Sequence, residues 1–166
     1  LPRFATFSDE LIGAELKNMT KSNIRHVFIN DPILGGKIAR GKNILRMFNE
    51  HAPDIRMQSY MRPEFLDDEF VDLIAKGNHQ EVLIGIQTVN PSVPHHVRSN
   101  NLERIKKYLP MLSDRNVPWR AELITGLPGD TLEGLRGSIK FVVDELRPSF
   151  LYSYHLTAIP ETLIND

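Results

Sequence analysis

The segment ELITGLPGDT, residues 122–131, sets an acid inside an apolar run and then stops the run with Gly126-Leu127-Pro128-Gly129. A helix-start signal, Asp130-Thr131, follows directly. Glycines at such a turn admit left-handed backbone and let a ligand approach the main chain. A carboxylate beside them has two oxygens that can accept from neighbouring hydroxyls. Strand-to-helix punctuation explains the same residues, and both readings can hold together. A phosphate loop is excluded, because its lysine is missing and Asp130 would repel a phosphate. The other reactive residue types form no complete set. His26, His51, His79, His95, His96 and His155 lack metal-ligand spacing. Asp67-Asp68-Glu69 fits the acidic first turn of a helix. The chain has no cysteine, so it cannot supply a disulfide, a thiolate zinc site, a cysteine nucleophile or the thiolate ligands of an iron–sulfur cluster.

The elements that would position these residues alternate along the chain. A capping pattern at Ser8, Asp9 and Glu10 opens a helix over 10–19. Residues 24–30 read as a β-branched strand that ends at Asn30-Asp31-Pro32. A helix over 41–50, a strand over 55–60 and a helix over 66–77 follow, the last with acids in its first turn and Gly77 at its end. Residues 81–88 form an apolar strand, and 101–115 a helix interrupted or ended near Pro110. Residues 119–125 form a strand, 131–146 a helix opened by a capping box of Asp130 and Glu133, and 150–156 a final strand.

Five strands alternating with helices predict right-handed βαβ units and a parallel sheet, either open or curved into part of a barrel. In both architectures ligands sit at the C-terminal ends of the strands. Topology therefore nominates Asn30 and Asp31, the segment 58–62, Gln87 and Thr88, the segment 122–126 and the segment 154–158.

With 166 residues, 41% of them hydrophobic and 25% charged, the chain can build one domain with a real core. A net charge of −1 provides no basic field for nucleic acid or an anionic membrane. There is neither a long apolar span nor a basic-then-apolar leader, so a soluble cytoplasmic protein is the expectation.

In order and strand context, GIQTVNP followed by a basic residue and then ELITGLPGDT resembles the radical S-adenosylmethionine enzymes. The likeness is to the cobalamin-associated group that includes the anaerobic magnesium-protoporphyrin monomethyl ester cyclases, and GIQ and ELITGLP are also similar to segments of the oxygen-independent coproporphyrinogen oxidases. The resemblance implies an α/β fold, a partial (β/α)6 TIM-like barrel whose cluster loop, CxxxCxxC, follows the first strand. The chain starts at Leu1 rather than Met, and on this reading it is a single-domain piece holding five strands, with the first strand and the cluster loop missing. S-adenosylmethionine is the implied cofactor, with a 4Fe-4S cluster ligated outside this chain and cobalamin in members that use it. Together they would generate a 5′-deoxyadenosyl radical to oxidise or alkylate a small-molecule substrate such as a tetrapyrrole, and the piece alone would be inactive.

Carried over by position, the resemblance places Asp31 and the adjacent backbone at the methionyl amino group, with Gln58 near an acid that some relatives use there. Gln87 and Thr88 match a pair facing the ribose. Arg98 resembles an arginine that pairs the methionyl carboxylate. Glu122 matches an acid on the ribose hydroxyls, and Gly126 opens the backbone to the nucleoside. Tyr154 to Ala158 would offer backbone groups to adenine, and the IPETL that follows resembles the family's PGT-like ending. Two other readings stand beside this one: another barrel-enzyme fragment using phosphate or a Schiff-base lysine, and a catalytically inert α/β scaffold or interaction domain.

Overall fold

The computed structural model describes residues 6–98 and 100–157. Five strands, β1 (His26–Ile29), β2 (Arg56–Met61), β3 (His79–Gln87), β4 (Trp119–Thr125) and β5 (Phe150–His155), form one parallel sheet in sequence order. Helices α1 (Asp9–Lys21), α2 (Ile38–His51), α3 (Asp68–Lys76), α4 (Leu102–Asp114) and α5 (Leu132–Phe141) alternate with them. The sheet does not close: β1 and β5 each pair on one side only.

Strand alternation divides the sheet into two faces. Met57, Met61, Ile84, Ile86, Trp119 and Leu123 lie on one face and join Leu45, Phe70 and Leu109 of the helices in a single buried core. The opposite face carries Gln58 and Tyr60, Glu81 and Leu83, Arg120 and Glu122, and Tyr152 and Tyr154. Two register shifts break the ladders, one between Met57 and Gln58 and one between Gly85 and Gln87.

The helix ends follow local chemistry. Ser8 caps α1 by accepting from the Leu11 amide at 3.2 Å, and Asp67 caps α3 by accepting from the Phe70 amide at 2.8 Å. The acidic run 67–69 has a second role. Lys42 of α2 donates to Asp67 at 2.7 Å and to Glu69 at 2.8 Å, and Arg46 also pairs with Glu69. These contacts tie α2 to α3.

Three expectations are corrected. Helix α4 runs through Pro110 without a break. Proline forfeits one intrahelical bond, but Ile105, Tyr108, Leu109 and Leu112 bury one face of the helix on both sides of it, and that packing outweighs the loss. Helix α5 is not opened by an Asp130–Glu133 box. Its cap is Thr131, whose hydroxyl accepts from the Gly134 amide at 3.0 Å. The expected helix to 146 becomes α-helical only to Phe141, and a π-helical turn over Val142–Leu146 ends in left-handed Arg147.

His79 is buried where β3 begins. Burial, opposed by the Ile74 backbone, pushes its pKa down from 6.5 to about 4. The ring is therefore neutral in the fold, while the unfolded chain protonates it near 6.5. A depressed histidine contributes stability that is complete above pH 6.5 and is lost as pH falls toward 4. The loss approaches roughly 3 kcal/mol at the lower end. Urea unfolding between pH 7 and 5 should show this slope in the parent and a flatter one in His79→Leu. Equal slopes would remove His79 as its source.

Candidate functional site

The face of the sheet opposite the helices holds a charged ladder. Register sets Phe28 beside Gln58 and Gln58 beside Glu81. It then sets Leu83 beside Arg120 and Gly85 beside Glu122, with Phe150 and Tyr152 next in the same two rows. Gln58 donates its amide to Glu81 at 2.8 Å. The Arg120 guanidinium lies 3.6 Å from Glu81 and 3.3 Å from Glu122, and 4.6 Å from the centre of the Tyr152 ring. These three side chains are only 12–15% exposed, so their charges depend on one another more than on water. Burial raises the Glu122 carboxyl above its ordinary value and Glu81 adds to the rise, while Arg120 and the Tyr154 hydroxyl pull the other way.

Glu81 and Arg120 did not emerge from the sequence reading as site residues. The signal was present as alternation, with Arg120 and Glu122 two apart in WRAELIT and so on one face of a strand.

Beside this ladder the strand ends come together. Gln87 has φ +69° at the β3 irregularity, and its amide folds back over Gly85. A Cβ on Gly85 would come within 2.3 Å of that amide nitrogen. Gly85 is also the strand partner of Glu122. Gln87 and Glu122 therefore both adjoin Gly85, the one by its side chain and the other by strand pairing. Gly126, with φ +83°, follows β4 and lines a shallow depression of about 180 Å³ with Asp130, Thr131, Leu132 and Leu135.

Gln58 is drawn into the ladder through Glu81, and the other nominated residues are engaged elsewhere. Asp31 accepts from the Gly35 amide at 3.1 Å and the Ile33 amide at 3.5 Å, which shapes the turn between β1 and α2. Thr88 is buried with its hydroxyl 3.4 Å from that of Ser138 in α5, and it accepts from the Asn90 amide at 3.0 Å. Arg98 donates to the Gly85 carbonyl at 2.6 Å and the Ile86 carbonyl at 3.3 Å. Burial pulls Arg98 below its usual range without discharging it. It thus caps carbonyls at the end of β3, helped by Asn100, which donates to the Ile86 and Thr88 carbonyls at 2.8 and 2.6 Å. Of the β5 segment, residues 154–157 are described; Ala158 and the segment 159–163 lie outside the described residues.

A five-stranded parallel α/β sheet with polar strand ends around a glycine patch is the frame of a partial barrel. The description "Radical SAM superfamily" matches residues 2–142. The chain belongs to this superfamily. No curated protein matches it. Among solved structures, the radical S-adenosylmethionine methyltransferase TsrM from Kitasatospora setae, with cobalamin and a [4Fe-4S] cluster bound, is similar at a TM-score of 0.75 and 20% identity over 86% of this chain. Coproporphyrinogen III oxidase (HemN) from Escherichia coli, a radical SAM enzyme, gives 0.63 and 19% over 91%. Elp3 from Methanocaldococcus infernus gives 0.62 and 16% over 92%. The chain spans 29%, 37% and 42% of those three chains. At these identities the likeness is one of fold: the open five-stranded sheet is that of the partial TIM-like barrel of radical SAM enzymes. Among the described residues no helix is long and apolar enough to cross a membrane.

Membership in this superfamily implies S-adenosylmethionine and a 4Fe-4S cluster. The side chains present fit the first and not the second. Without cysteine the chain has no thiolate for iron. At Gly85 the Gln87 amide and the strand partner Glu122 come together, which sets an amide beside a charged acceptor, the pair of groups that a ribose diol can engage.

Proposed function

We propose that this chain is the nucleoside-binding part of a radical SAM enzyme whose cluster cysteines lie outside it. S-adenosylmethionine and the cluster would supply one-electron chemistry that removes a hydrogen atom from a small-molecule substrate. The observation that supports the placement is the register of Gly85 with Glu122 and the fold of Gln87 over the same glycine. On this reading Glu122 accepts from the ribose hydroxyls and Gln87 orients the sugar. Arg98 acts by holding the end of β3, and Arg120 by keeping Glu122 in place. Gln58 and Asp31 serve the amino-acid end of the cofactor, Asp31 through the turn that it organises, and Thr88 through the backbone that it anchors. Cobalamin as a second cofactor and a tetrapyrrole as substrate belong to the same proposal and rest on the family resemblance. We place the protein in the cytoplasm, with neither nucleic acid nor membrane as partner.

Glu122→Ala tests the reading in the full-length protein with its cluster in place. Losing a hydrogen bond to a charged group costs about 1.5–3 kcal/mol, which corresponds to a roughly tenfold to hundredfold weaker affinity for S-adenosylmethionine. The rate of 5′-deoxyadenosine formation against cofactor concentration should shift by that factor, with circular dichroism unchanged. A folded variant that needs no more cofactor than its parent would sink the assignment.

A further inference from the structure

The loop after β3 and the turn after β4 are locked together. Asn90 donates its side-chain amide to the Asp130 carboxylate at 2.7 Å, and its side-chain oxygen Oδ1 accepts from the Ser92 amide at 3.0 Å. The same Asp130 oxygen accepts from the Thr131 amide at 2.8 Å. The seat for Asn90 exists because residue 134, in the first turn of α5, is glycine. A Cβ there would come within 2.0 Å of the Asn90 amide nitrogen and 2.6 Å of the Asp130 oxygen. A second glycine makes room from the other side. Gly129 has φ +78°, and a Cβ on it would lie 2.7 Å from the Ser92 carbonyl oxygen. Below these contacts Ser138 of α5 accepts from the Val89 amide at 3.1 Å. Two glycines, one amide–carboxylate bond and one buried hydroxyl thus fix one loop against the other.

We propose that Asn90 and Asp130 are positioning residues that hold the Gln87 side of the nucleoside site in register with its Glu122 side. The inference rests on the functional reading above. Gln87 lies three residues before Asn90, and Gly126 four before Asp130. Each half of the site hangs from a different strand, and the β3–β4 ladder shifts register between Gly85 and Gln87, where a local bulge loosens the alignment that backbone pairing gives. Pairing resumes at Gln87 and Leu123 after the shift, and the side-chain clamp adds a second tie beyond the strand ends, between the two loops. A charged acceptor makes it stronger than a neutral pair, and neither residue needs to touch the cofactor.

The test uses the full-length protein with its cluster and three variants: Asn90→Asp, Asp130→Asn, and the double exchange. Asn90→Asp sets carboxylate against carboxylate. The double exchange restores a donor–acceptor pair of opposite direction. Binding of S-adenosylhomocysteine, measured by calorimetry without turnover, should weaken about tenfold in Asn90→Asp and return to within about threefold of the parent in the double exchange. The KM for S-adenosylmethionine should rise by a similar factor, with the saturated rate of 5′-deoxyadenosine formation within about twofold of the parent. If Asn90→Asp does not fold, the double exchange alone decides, because it must fold and bind. Equal affinity in Asn90→Asp and its parent overturns the clamp. So does a double exchange that fails to recover binding, or a saturated rate that falls with no change in KM. A parent that binds no S-adenosylhomocysteine overturns the functional reading and this inference with it, which separates the two failures.

Discussion

Trp119→Ala is expected to lower stability by about 3–5 kcal/mol, the cost of emptying a large buried aromatic site. Trp119 is fully buried at the start of β4. Its indole nitrogen donates to the Ser113 hydroxyl at 2.8 Å, and that hydroxyl in turn donates to the Arg147 carbonyl at 2.7 Å. The substitution therefore leaves a void and removes one arm of the bridge from β4 to the end of α4 and the turn before β5. For a chain of this size the thermal midpoint should fall by roughly 6–20 °C. Trp119→Phe fills most of the void and should lose less. A midpoint within about 2 °C of the parent for the alanine variant would show that the core collapses onto the gap instead of leaving it open.

Arg120→Leu should be comparably damaging for an electrostatic reason. The guanidinium is the positive member of a ladder in which Glu81 and Glu122 lie on either side. Removing one partner from a nearly buried ion network costs about 3–5 kcal/mol, because the remaining charges keep their desolvation penalty and repel each other. The pH dependence carries the signature. Burial already raises Glu122 above its ordinary value of 4.5. A carboxyl raised in the fold favours the protonated native state, so stability grows as pH falls through its folded value toward the unfolded one. Losing Arg120 takes away the partner that pulls Glu122 down. The deficit of Arg120→Leu relative to its parent should thus shrink as pH falls from 7 toward 4.5, and adding Glu122→Gln should recover much of it at neutral pH. A deficit independent of pH would assign the loss to packing against Tyr152.

The alternation of strands and helices was legible because each element has its own period and stop signal. The β4 segment and its turn are an instance: WRAELIT alternates cleanly, and Gly126 and Gly129 take the positive φ that the turn requires. Pro110 misled because a local rule was read without the burial that overrides it. At the start of α5 the acidic Asp130 obscured Thr131, which is the cap; Asp130 instead reaches across to Asn90. The site was legible in part. Gln87 and Thr88 were nominated together, yet adjacent strand residues face opposite sides. The structure sets the Gln87 amide over Gly85 and the Thr88 hydroxyl against Ser138. Alternation already set Arg120 on the face of Glu122, but that Glu81 lies beside them depends on how β3 pairs with β4, and the register Leu83–Arg120 leaves no mark in a single sequence.

The order β1-β2-β3-β4-β5 also governs how the domain can be assembled in time. Among the described residues each strand hydrogen-bonds only to the strand made just before it and the one made just after. A chain leaving the ribosome therefore never has to hold a strand edge in reserve for a distant partner. Every ladder can zip as soon as one crossover helix has emerged, so loop-closure entropy is met in small instalments. The growing edge is always the youngest strand, while the outer edge of β1 stays unpaired as the sheet extends. Such a sheet behaves like a short repeat array in which coupling passes from neighbour to neighbour. Injury to β1 should propagate to β5 only through every ladder between them, whereas a break at β3 divides the array in two.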